Sequence, residues 1–108
     1  MMNIAKEIKF TADKPFVLSV RKTETLNIMA VGLLKGQVLT KHKTQLPTTL
    51  IVLRGTILFR VNVEEIRLAA FDVYQIPIDI DHEVIGVDEE NIFLLTRENL
   101  RNFDEKRH

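Results

Sequence analysis

Short β-type runs separated by turn residues dominate this chain and leave room for little but an all-β fold. Phe16 to Lys22, Leu26 to Leu34, Val38 to His42, Thr49 to Leu53, Thr56 to Val61, Glu65 to Leu68, Val73 to Ile76, Glu83 to Ile85 and Ile92 to Thr96 each read as a strand. About nine such runs at a spacing of ~8–12 residues are the mark of a sandwich or barrel. No stretch of roughly 10–15 residues with helical periodicity lies between them, so βαβ units are not expected. Lys35-Gly36 and Arg54-Gly55 read as turns, Leu46-Pro47 as a break, and Pro77 as a strand stop, because proline removes a ladder donor. The ends differ. Met2 to Ile8 reads as a short helix or an N-terminal strand, and Asn99 to Lys106 as a short polar helix or a frayed tail.

Length and charge narrow the function classes. A chain of 108 residues is expected to form a single domain spanning residues 1–108. Its core is modest for that size, so a second subunit would add burial, and a homodimer is expected. Fifteen basic and fifteen acidic residues cancel, which points away from a nucleic-acid partner. Cysteine is absent, which removes disulfides, thiolate metal sites and a cysteine nucleophile. No apolar run approaches the ~18 residues of a membrane helix. Charges arrive by Lys6 with no apolar leader segment before them. A cytoplasmic protein with no membrane partner is the expectation.

Two spaced frames carry more specific information. The first holds Gly36, His42, Thr44, Thr48 and Gly55; the second holds Pro77, Asp79 and His82. They resemble the two motifs of the cupin superfamily, G-x5-H-x-H-x3,4-E-x6-G and P-x-G-x2-H. Gly36, His42, Gly55, Pro77 and His82 stand in register with those motifs. Thr44 replaces the second histidine, Thr48 the glutamate, and Asp79 a glycine. The resemblance covers Gly36 to Ile85 by motif and nearly the whole chain by strand pattern. It implies a small single-domain cupin: an all-β double-stranded β-helix, or jelly-roll barrel, with short terminal segments and a pocket between its sheets. Two hairpins depart from the family habit. Asn62-Val63 stands where Asn-Gly is usual, and valine resists positive φ, so a longer loop or another turn type is expected. Phe71 precedes Asp72 where Gly-Asp is usual, and it is expected to cover an end of the barrel.

In metal-binding cupins the motif histidines and glutamate converge inside the barrel. The resemblance therefore implies that His42 and His82 face a common pocket. Alternation would put Thr40, His42 and Thr44 on one face of their strand. Thr44 and Thr48 remove two of the four donors, and threonine is a weak ligand. What remains is an incomplete, two-histidine metal site at His42 and His82, able to hold one divalent transition metal (Zn, Fe, Ni or Mn) weakly. Tyr74, Gln75, Asp79, Asp81 and Glu83 are candidates for a third donor, although alternation turns Glu83 away from His82. The alternative is that both histidines hydrogen-bond the Thr44 or Thr48 hydroxyls with no metal present.

The ligand-binding set expected on this reading is His42, Thr44, Thr48, Leu50, Val52 and His82, closed by further apolar residues such as Val84. Three functions stay open. One is a small-molecule-binding cupin with a depleted metal centre. Another is a metal-dependent enzyme of the dioxygenase or isomerase kind. The third is a structural or regulatory homodimer joined through the strand from Phe16 and the run Leu26 to Leu34. Lys41, Lys43 and Arg54 read as outward-facing strand charges, and Asp79 to Glu90 as a solvated acidic segment.

Overall fold

The alternation of apolar and polar residues resolves into two packed sheets. The computed structural model describes residues 1–99, apart from the side chains of Lys41 and His42. The expected tail from Asn99 to Lys106 thus falls almost wholly outside the described residues. Within them a short helix, α1 (Ile4–Glu7), precedes β1 (Phe16–Lys22), β2 (Leu26–Leu34), β3 (Val38–His42), β4 (Thr48–Arg54), β5 (Thr56–Val61), β6 (Glu64–Ala69), β7 (Val73–Ile76), β8 (His82–Gly86) and β9 (Glu90–Glu98). One sheet runs β1-β2-β9-β4-β7 and the other β3-β8-β5-β6. Every pairing is antiparallel. This is the expected jelly roll.

Between the sheets, β4 presents Thr48, Leu50 and Val52 inward with period two. Facing them are Ile57, Phe59 and Val61 from β5 and Val84 from β8, and Val31, Leu33, Phe93 and Leu95 complete the core. Outside the five-stranded sheet a second cluster forms where Ile8 packs on Ala30 and Ile92, with Ile4, Phe10 and Leu18 around it. A helix of four residues has no stability of its own, so burial of Ile8 is what seats this segment. Gly32 makes the seating possible, since a Cβ there would stand 2.6 Å from the Ile8 Cγ2.

Asn91 ties the far end of the barrel together. It is fully buried. Its Oδ1 accepts from the Thr56 and Asp88 amides at 2.9 and 3.1 Å. Its Nδ2 donates to the carbonyls of Leu33 and Asp88 at 3.1 and 2.9 Å. Gly55 and Gly86 lie against it, and a Cβ on either would collide with its amide.

One hairpin takes the second of the two forms expected of it, and two expectations are corrected. β5 and β6 stay paired to Val61 and Glu64, so Asn62-Val63 is a two-residue turn and not a longer loop. Asn62 takes φ 53° while Val63 avoids positive φ, so the turn is not of the I′ type, which needs positive φ at both central residues. Valine is tolerated because only the first central residue must be left-handed.

Phe71 does not cover the barrel end. It is 81% exposed and holds φ 73°, because the turn is built on its backbone. Its amide donates to the Val52 carbonyl at 2.7 Å, and the Asp72 carboxylate accepts from the Ala69 amide at 2.8 Å. A bulky residue at positive φ is strained and here buries almost nothing in return. Phe71→Gly is therefore expected to raise stability by about 0.5–1 kcal/mol, read as a higher melting temperature. A loss of stability would mean that the ring packs on something after all.

The second correction concerns β3. Leu39 pairs with Val84 and His42 with His82, so three steps on β3 answer two on β8. The extra residue is a β-bulge. Leu39 packs on the core and Thr40 is exposed. The common inward face expected for Thr40, His42 and Thr44 thus fails at Thr40, because the bulge switches the parity of the strand.

Candidate functional site

The two motifs meet at one end of the barrel. The register sets His42 of β3 directly opposite His82 of β8; the His42 side chain lies outside the described residues. Asp79 takes the place of the motif glycine and keeps its left-handed backbone, at φ 63°. Its amide donates to the Thr44 carbonyl at 2.9 Å, which pins the second motif to the first. Gly36 and Gly55 hold φ 81° and 77° at the turns expected of them.

His82 is 5% exposed. Its ring stacks on Phe59, centroids 5.0 Å apart and planes 20° apart. Its Nδ1 lies 3.3 Å from the Ile80 carbonyl oxygen. A carbonyl only accepts, so Nδ1 carries the proton in this contact, and in the neutral ring the lone pair sits on Nε2.

A cavity of about 10 Å³ adjoins His82, lined by Leu39, Thr44, Thr48, Val84, Phe93 and Arg97 among others. That is room for about one water. Thr44 accepts at Oγ1 from the Leu46 amide at 3.1 Å, and Thr48 donates from Oγ1 to the Leu46 carbonyl at 3.0 Å. Both hydroxyls thus shape the turn before β4. Leu50 and Val52 do not line this cavity; they are fully buried core residues.

Arg97 was not anticipated. On β9 the buried residues Asn91, Phe93 and Leu95 alternate, and Arg97 follows in the same phase, opposite Thr48 of β4. Its Nε is buried without an acceptor among the described residues. Such an unmatched donor costs about 1–3 kcal/mol. The signal was available as a charged residue continuing an inward alternation.

The candidates for a third metal donor lie elsewhere. Gln75 accepts from the Thr49 hydroxyl at 2.8 Å on the exposed side of the sheet. Glu83 pairs outward with Arg60, at 3.3 Å. Asp79 and Asp81 border an external cleft of about 340 Å³ with Lys43 and Arg60. Tyr74 packs on Phe59, its ring tilted by 58° at a centroid distance of 4.9 Å, and it is not among the residues lining the cavity at His82. Burial, and then the Glu64 carboxylate, hold its phenol above the ordinary value of 10.0, so it stays neutral. Among the described residues no group of three histidine, aspartate or glutamate side chains could hold a metal ion. A guanidinium at the same cavity adds a positive charge that opposes a dication. The described donor set does not fit a tightly bound metal.

Arg54 points outward to Glu90, at 2.9 Å, and Lys43 is exposed, both as alternation predicts. β2 is paired on both sides, by β1 and β9, so the run Leu26 to Leu34 offers no free edge to a second subunit; β1 does. Among the described residues no helix is long and apolar enough to cross a membrane.

Solved structures resemble this chain throughout. A cupin protein from Desulfovibrio desulfuricans described as RmlC-like aligns with a TM-score of 0.81 at 22% identity, over 91% of this chain and 94% of its own. A cupin superfamily protein from Desulfitobacterium hafniense aligns at 0.80 and 15%, over 90% and 88%. A conserved protein with a double-stranded β-helix domain from Klebsiella pneumoniae aligns at 0.82 and 17%, over 91% and 88%. No family model matches the chain, and no curated relative does.

Proposed function

We propose, with the cupin fold of this chain as the premise, that it is a small-molecule-binding cupin whose metal centre is depleted. The observation that carries this reading is the lining of the cavity beside His82. An imidazole, two threonines and a guanidinium border an apolar recess there, and no carboxylate among the described lining residues does, where a metal site needs anionic donors. A few polar residues set around an apolar recess are the usual make-up of a ligand site. The volume at His82 suits a single polar atom, so the ligand inserts one end and leaves its remainder at the barrel mouth. Thr44 and Thr48 shape that mouth, and Leu50 and Val52 support it from the core. His42 stands across the ladder from His82. A divalent transition ion (Zn, Fe, Ni or Mn) would be held by that pair alone, and so weakly.

Metal analysis of protein purified without an affinity tag tests the proposal. Well under one equivalent of Zn, Fe, Ni or Mn is expected, with unchanged folding after chelation. One equivalent of metal that survives dialysis, and is lost in His82→Ala, would sink this reading. It would favour the metal-dependent, dioxygenase- or isomerase-like alternative. The exposed ladder of β1 favours a second reading as a homodimer, because an open edge invites pairing. Light scattering on the eluting protein gives its mass, and a monomer would end that reading.

A further inference from the structure

We infer that the ligand of this cavity carries a carboxylate, and that Arg97 receives it through its buried Nε–H. The inference rests on the proposed binding function and narrows it to a class of ligand. Arg97 belongs to β9, the central strand that pairs with both β2 and β4, so its backbone is fixed on both sides. Its Nε is fully buried and has no acceptor among the described residues. The cavity it lines also carries His82, Thr44 and Thr48 and no carboxylate. The two threonine hydroxyls are turned to the Leu46 backbone, and His82 donates Nδ1–H to Ile80. The Arg97 Nε–H is thus the one unmatched buried donor among the described residues at this cavity, and no carboxylate among those lining residues meets it.

The size agrees. A space of about 10 Å³ admits one oxygen atom rather than a whole molecule. A carboxylate can place one oxygen at Nε while the other lies toward the outer part of the guanidinium, the side-on fork that arginine favours. Thr48 is the direct cross-strand neighbour of Arg97. An acidic residue there would neutralise the guanidinium from within; threonine leaves that to a ligand.

The test uses the folded, ¹⁵N-labelled chain with sodium acetate as probe, acetamide as its neutral counterpart and sodium chloride as the salt control. Acetate is expected to shift the Arg97 Nε–H resonance saturably, with acetamide and chloride leaving it in place. Arg97→Met should weaken acetate binding by about tenfold or more, and Arg97→Lys should recover only part of it. Arg97→Met should also melt no lower than the parent chain, because an apolar side chain replaces an unmatched donor. Thr48→Glu should abolish the acetate response by supplying the carboxylate internally. Equal shifts with chloride, acetate binding undiminished in Arg97→Met, or a marked loss of stability in that variant would overturn the inference. Acetamide moving the His82 ring signals while acetate leaves Arg97 unmoved would sink the carboxylate alone and keep the binding pocket. No response from any probe at either residue would sink both.

Discussion

Asn91→Ala is expected to lower the unfolding free energy by roughly 3–5 kcal/mol, a large share of what a domain of this size possesses. The side chain satisfies four backbone groups from three parts of the chain. Asp88 is exposed and can turn to water, but the Leu33 carbonyl is fully buried and the Thr56 amide partly so. Alanine leaves the Thr56 amide without a partner, takes one of its donors from the Leu33 carbonyl and opens a void between Gly55 and Gly86, which sit close only because neither has a Cβ. Asn91→Asp separates the causes. It keeps the volume and the Oδ1 acceptor but sets a second acceptor against the carbonyls of Leu33 and Asp88. A comparable loss at neutral pH is expected, easing when acid protonates the new carboxyl. Guanidinium unfolding with an unchanged m value is the measurement. A loss below about 1 kcal/mol for alanine would mean that water replaces the amide at no great cost.

Phe59→Ala is the second large effect, at about 3–5 kcal/mol. Phe59 is fully buried and holds two ring contacts, with Tyr74 and with His82. The residue therefore serves the core and the site together: it is the wall against which the imidazole lies flat. Removing it should destabilise the barrel and release the His82 ring, seen as broadened or shifted imidazole resonances. Phe59→Leu should cost less than half as much, since it refills most of the void. If alanine and leucine cost the same, the loss would come from the aromatic contacts and not from volume.

How much of this was legible in the residues depended on where local chemistry was decisive. β1, β2, β3, β5 and β7 begin and end where the turn residues and alternation put them. Glycine at 36 and 55 and proline at 77 leave the backbone few options, so the turns between strands were equally plain. The inward setting of His82 followed from its place in the second motif. The parity of β3 was not visible, because no glycine or proline marks its bulge; the shift is imposed by pairing with β8. Phe71 was misjudged because an apolar residue suggests burial, whereas its turn is held by backbone hydrogen bonds and Asp72. Arg97 escaped notice because a charge near the end of a strand is normally solvated. Only the neighbouring strands reveal that its Nε is enclosed.

The place of β9 between β2 and β4 has a consequence for biosynthesis. Leu26 must find Glu98 before the larger sheet has a middle, so the nascent polypeptide cannot complete this sheet while that stretch is still inside the ribosome. Hairpins such as β5–β6 can form early and must wait, apolar side exposed, until the last strand emerges. Closing so long a loop makes folding slow compared with helical chains of similar size, and the waiting period is when chaperones would matter most.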